Sequence, residues 1–103
     1  MLTRDKVLPV GSVVVLRREP DYKFLITGFY SIEENVLFDY NAVPYPLGSN
    51  RADRVALFGA DQVETVLHEG YRGLGFELML NSLDAVSERL KEQLDAGSLR
   101  VPE

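Results

Sequence analysis

The sequence predicts a mainly β domain with a C-terminal helix, on three observations. Short runs of β-branched and aromatic residues alternate with Gly, Pro, Asp and Asn turns across residues 7–69. The texture changes at the glycine-rich segment Glu69-Gly70-Tyr71-Arg72-Gly73-Leu74-Gly75. Beyond it, Leu83, Val86, Leu90 and Leu94 recur at the three- and four-residue spacing of an amphipathic helix. Five or six short strands in so small a region suggest an SH3-like antiparallel β-barrel or a strongly bent sheet, since closure removes exposed edges. The expectation is one domain over residues 1–103, with a β-barrel core at 7–69 and a helical segment at 74–96 packed on it or on a partner.

The chain enters through Val7-Leu8-Pro9-Val10-Gly11, with a turn at Pro9 to Gly11. Residues 12–17 form the first expected strand; their consecutive valines do not say which face is inside. Glu19-Pro20-Asp21 reads as a turn, because proline presets φ and aspartate bonds back to the backbone. A second strand follows at 22–30, where Gly28 marks a bulge or sharp bend. After the polar residues 31–35 comes a third strand at 36–43. Its alternation places Phe38, Tyr40 and Ala42 on one face, with Leu37, Asp39 and Asn41 on the other. Pro44 and Pro46 lack an N–H, so the ladder is expected to stop there and hold Tyr45 in a stiff turn. Gly48 supplies a position that tolerates positive φ.

A polar connection at 49–53 leads to a fourth strand at 54–58, with Val55 and Leu57 on one face and Ala56 and Phe58 on the other. Asp61 is expected to cap a single 3₁₀ turn before residues 63–68. These read as a fifth strand, although Val63, Val66 and Leu67 also fit a helix. Asn81, with Asp84 three residues on, has the pattern of a helix N-cap, so residues 76–80 are either a separate first helix or the start of one long helix. Gly97 is a natural left-handed stop, and the tail to Glu103 is expected to fray.

Composition narrows the function classes. The net charge is −5, and its distribution is uneven: residues 1–59 carry seven basic and seven acidic side chains, and residues 60–103 four and nine. An acidic C-terminal region repels phosphate, and Arg17-Arg18 with Arg51 and Arg54 are too sparse for a nucleic-acid footprint. No cysteine is present, so disulfides and thiolate metal sites are excluded. No apolar run is long enough for a signal-peptide core or a membrane span, which makes the cytoplasm the default location and membrane insertion unexpected.

Catalytic chemistry finds no constellation. His68 is the single histidine, sits among hydrophobic strand residues and is read as structural; with no cysteine it makes no conventional zinc site. Ser12 follows Gly11 but opens a strand, and Val14 stands where a nucleophile elbow needs glycine. Glu33, Glu34, Asp53 and Asp61 lie in turns and connections, without a neighbour to tune them. Gly70-x-x-Gly73-x-Gly75 lacks the Lys-Ser/Thr of a phosphate loop and is flanked by Glu69 and Glu77, so it reads as a hinge. No cofactor, no metal and no enzymatic activity are expected. Tyr45 and Tyr71 are the aromatic side chains expected at the surface.

Three separated stretches resemble a bacterial family of unknown function, domain-of-unknown-function family 4176. They are Leu8-Pro9-Val10-Gly11-Ser12-Val13-Val14-Val15-Leu16, Phe24-Leu25-Ile26-Thr27-Gly28, and Phe38-Asp39-Tyr40 running through to Tyr45-Pro46-Leu47-Gly48. Phe58, Asp61, Val63, Val66, Glu69, Gly70 and Tyr71 resemble its closing element. The resemblance implies a small accessory protein of Gram-positive bacteria encoded near type VII secretion genes and their toxin substrates, with no activity attached. The expected function is therefore non-catalytic binding of a protein partner, such as a helical secretion substrate or a machinery subunit, in substrate targeting or assembly. The residues assigned to that role are Tyr45 and Pro46 of the rigid turn, Tyr71, and Phe76, Leu80, Leu83, Val86 and Leu90 of the helix. Rival readings are an immunity protein whose acidic tail meets a basic toxin, a homodimer whose helices complete its core, and, least supported, an enzyme.

Overall fold

A computed structural model describes residues 1–49 and 55–102. All but Ser49 of the expected connection over 49–53, the start of the fourth strand at Arg54, the Arg51/Arg54 pair and Glu103 lie outside these residues. Five antiparallel strands form one sheet: β1 Val13–Leu16, β2 Glu19–Glu33, β3 Val36–Tyr45, β4 Ala56–Phe58 and β5 Val63–His68. Their spatial order is β4-β3-β2-β1-β5, so the sheet is open and the barrel alternative is corrected. A single helix, α1 Leu74–Asp95, follows.

The bend expected at Gly28 is present as a register shift between Ile26 and Gly28 against β3. A Cβ at Gly28 would lie 2.8 Å from the Asn41 side chain, which accounts for the glycine. Two turns differ from expectation. Leu16 pairs with Glu19, so the first hairpin turns at Arg17-Arg18 and β2 runs straight through Pro20. The arginines are fixed there by their reach: Arg17 Nε donates to the Asp61 carbonyl at 2.9 Å, and an Arg18 guanidinium nitrogen donates to the Leu57 carbonyl at 2.8 Å. The second hairpin closes on Glu34 and Asn35, both at positive φ (51° and 64°), the tight two-residue turn whose twist matches the strands.

The third strand also continues through Pro44, which pairs with Phe24, to Tyr45, which pairs with Lys23. The proline is tolerated because β4 pairs only with Tyr40, Asn41 and Ala42. Beyond Ala42, among the described residues, β3 is bonded on one side only and the missing N–H breaks no ladder. Gly48 and Gly97 adopt the positive φ expected of them, 74° and 82°.

One face of the sheet carries the main core. Cross-strand partners Val14 and Phe24, Ile26 and Ala42, Ala42 and Ala56, and Tyr40 and Phe58 place their side chains together, and Leu16 joins them. Leu2 and Leu8 from the entry segment pack against this cluster. The Tyr40 and Phe58 rings stand 5.6 Å apart. Leu37, on the opposite face of β3, packs with Leu90 of the helix and Leu99 of the tail. The tail does not fray over its described residues: Arg100 bridges in parallel to Val36, and its carbonyl accepts from Leu37 N–H at 2.8 Å.

The helix is continuous, so Asn81 is an interior residue and Gly73 the N-cap. Residues 76–80 are its opening turns. Its inward stripe is Phe76, Met79, Leu80, Leu83, Ser87, Leu90 and Leu94, each buried or half-buried. Ser87 takes the inward place that the spacing argument gave to Val86, and its Oγ lies 2.6 Å from the Tyr30 hydroxyl. The 3₁₀ turn Ala60–Gln62 is present, but Asp61 does not cap it; Ala60 N–H donates instead to Asp39 Oδ2 at 2.7 Å.

Candidate functional site

Two segments carry the motif residues, and the structure gives them different duties. In the first, Pro9 and Ser12 are buried and Gly11 sits at φ 94°. Ser12 Oγ donates to the Pro9 carbonyl at 2.7 Å and accepts from Gly70 N–H at 3.0 Å. A Cβ on Gly70 would stand 2.3 Å from the Val10 carbonyl oxygen. The close approach of two backbones thus explains Gly11-Ser12 and Gly70 together, and the serine hydroxyl is committed to structure. Tyr40 seals the neighbouring residue by accepting from Leu8 N–H at 3.0 Å. Burial raises its phenol above the usual tyrosine value, although the Leu8 hydrogen bond opposes the shift.

The second segment is exposed. Tyr45 is 50% exposed and Leu47 63%, with Pro46 also at the surface; the Tyr45–Pro46 peptide is cis. Two open grooves meet here. One, of about 550 Å³, is lined by Tyr22, Phe38, Pro44, Tyr45, Pro46, Leu47 and Val55, with Arg18, Lys23, Glu19 and Glu33 among its polar residues. The other, of about 580 Å³, is lined by Gly11, Val13, Leu25 and Leu67 with Lys23, Tyr45 and His68. Lys23 and Tyr45 are cross-strand partners and belong to both grooves. The surface combines apolar and aromatic side chains with charged residues of both signs.

The residues singled out from the sequence separate into groups. Tyr45 and Pro46 lie together at this surface. Tyr71 is 88% exposed in the segment before the helix. Leu80 and Leu90 are buried within the chain, at 4% and 7%, with Phe76 and Leu83 half-buried on the same stripe, and Arg72 stacks over the Phe76 ring. Val86, 37% exposed, flanks this stripe. The outward apolar residues of α1 also include Leu74 and Leu78, which helical periodicity alone does not single out. His68, read as structural among hydrophobic strand residues, is exposed at the end of β5, opposite Val13. Leu47 belongs to the Tyr45–Gly48 motif, whereas Tyr22, 57% exposed on β2, is marked by neither motif nor spacing.

Among the described residues, no group of three His, Asp or Glu side chains is placed to hold a metal ion, and no helix is long and apolar enough to cross a membrane. No curated protein and no solved structure matches the chain. A family model does match, over residues 7–75, which span both motif segments, all five strands and the start of the helix. The chain belongs to that family, described as "Domain of unknown function (DUF4176)".

Proposed function

We propose that the protein is a non-catalytic accessory factor that binds a protein partner through the surface around Tyr45. The observation that carries this reading is the exposure of Tyr45 between two grooves, on a strand whose neighbouring residues are fixed by the sheet. An aromatic side chain held at low conformational cost, with an apolar surround and a charged rim, is the usual anchor of a protein interface. The resemblance described above supplies the context: targeting or assembly of type VII secretion substrates in the cytoplasm, with a helical substrate or a machinery subunit as partner.

The test is co-purification of the tagged full-length protein with the products of its neighbouring genes, followed by calorimetric titration of any captured protein with wild type and Tyr45→Ala. Loss of a partner of roughly 1–3 kcal/mol in binding on removal of the tyrosine supports the reading. Capture of a toxin together with protection against it assigns an immunity role instead. Capture that is indifferent to Tyr45, Leu47 and Tyr22 removes this surface from consideration.

A further inference from the structure

The groove of about 580 Å³ differs in chemistry from the other hollows of the surface. It is lined by the apolar side chains Val13, Leu25 and Leu67, and its polar groups are Lys23, Tyr45 and His68. Among the described residues no carboxylate lines it, whereas the adjoining groove holds Glu19 and Glu33, and two smaller ones hold Asp61. The strand register brings these groups to one face of the sheet. Val13 stands opposite both Leu25 and His68, and Lys23, on the same face of β2 as Leu25, stands opposite Tyr45. All three polar side chains can donate: the ammonium has donors only, and the imidazole and the phenol offer an N–H and an O–H. Among the described residues, none of the three has a side-chain hydrogen bond or an ion pair within the chain. Nearby charges are otherwise matched: Arg17 holds Glu64, and Glu69, next to His68 in the chain, is engaged by Arg72.

We propose that this groove receives a segment of a protein partner in which an acidic residue stands among apolar ones. Its carboxylate meets the Lys23 ammonium, with the His68 and Tyr45 hydrogens as further donors, and its apolar neighbours lie on Val13, Leu25 and Leu67. A carboxylate is the matching group because it only accepts hydrogen bonds, and bonds to an ammonium are among the stronger ones. A wholly apolar segment would cover Lys23 without pairing it, which costs free energy, and a basic segment would be repelled. A bare inorganic anion would leave the apolar lining unused. The inference rests on the partner-binding role proposed for the Tyr45 surface and adds the sign and texture of what binds there.

Amide NMR titration of the full chain with two capped tripeptides, acetyl-Leu-Glu-Phe-amide and acetyl-Leu-Lys-Phe-amide, tests this; the caps remove the terminal charges. The glutamate peptide is expected to shift the amides of Gly11, Val13, Lys23, Leu25, Leu67 and His68 with a dissociation constant of millimolar order, as befits so small a ligand. The lysine peptide is expected to bind about tenfold more weakly or worse. Lys23→Glu abolishes that preference and Lys23→Arg keeps it; Lys23 is exposed, and the dispersion of the same spectra shows that each variant is folded. Equal binding of the two peptides, shifts centred outside the groove, no shift from either peptide, or a preference that survives Lys23→Glu overturns the inference. A captured partner that loses affinity with Tyr45→Ala but not with Lys23→Glu overturns this inference alone. A partner indifferent to both substitutions overturns the reading on which it rests.

Discussion

Pro9-Val10-Gly11-Ser12 and Pro44-Tyr45-Pro46-Leu47-Gly48 look alike in the sequence, each a proline followed within four residues by a glycine at positive φ. In the fold they are opposites. The first is locked: Pro9 and Ser12 are buried, Ser12 bonds Pro9 and Gly70, and Gly70 is pressed against the Val10 carbonyl. The second ends a strand and leaves Tyr45, Pro46 and Leu47 in solvent. A motif of the same texture thus secures the sheet in one place and presents side chains in the other. What separates them, among the described residues, is whether a second backbone arrives to be packed.

That difference is breakable in a graded way. The largest effect is expected from Gly70→Ala, because the atoms its methyl would meet are backbone. Chemical denaturation should show a loss of about 3 kcal/mol or more. Next comes Ser12→Ala, which leaves the buried Gly70 N–H without its acceptor; the same measurement should report about 1–3 kcal/mol. Tyr40→Phe removes the acceptor for Leu8 N–H, a loss of about 1 kcal/mol at neutral pH.

Tyr40 also has a signature in pH. Its phenol has a higher pKa folded than unfolded, so above the ordinary value of 10.0 the unfolded chain has released a proton that the native one retains. Stability therefore falls as pH rises past that value, and Tyr40→Phe should flatten part of the decline in denaturation curves collected at alkaline pH. Smallest of all in stability is Tyr45→Ala, expected within about 0.5 kcal/mol of wild type, as for a surface position.

Much of this fold is legible in the sequence, in places where one residue type has one physical use. Gly28 marks the bulge, Gly48 and Gly97 take positive φ, and the alternation in β3 places Tyr40 and Ala42 in the core. The errors arise where a local rule depends on neighbours that are distant in sequence. Pro44 is allowed inside β3 because β4 stops at its partner Ala42. Arg17 and Arg18 make a hairpin turn because Asp61 and Leu57 carbonyls lie within their reach. The tail looked free because nothing in residues 98–102 announces that Arg100 will bridge to Val36.

The candidate surface was half legible for the same reason. Proline on both sides of Tyr45 signals an exposed aromatic, and Tyr45 is half exposed, although on the end of β3 rather than in a turn beyond it. The helix was harder to read. Helical spacing identifies an apolar stripe without saying what covers it; in the fold Leu90 and Leu94 pack with Leu37, Tyr30 and Leu99. Closure of the sheet was also beyond reach, since strand count alone does not decide between a barrel and an open edge.

The most direct test of the central claim, that the second segment presents while the first secures, is a paired measurement on Tyr45→Ala: denaturation midpoint and affinity for the captured partner, in the same buffer. Unchanged stability with binding weakened about tenfold or more is the predicted result. Unchanged binding, or a stability loss comparable to that of Ser12→Ala, would contradict it and return Tyr45 to the role of a side chain that closes a small core.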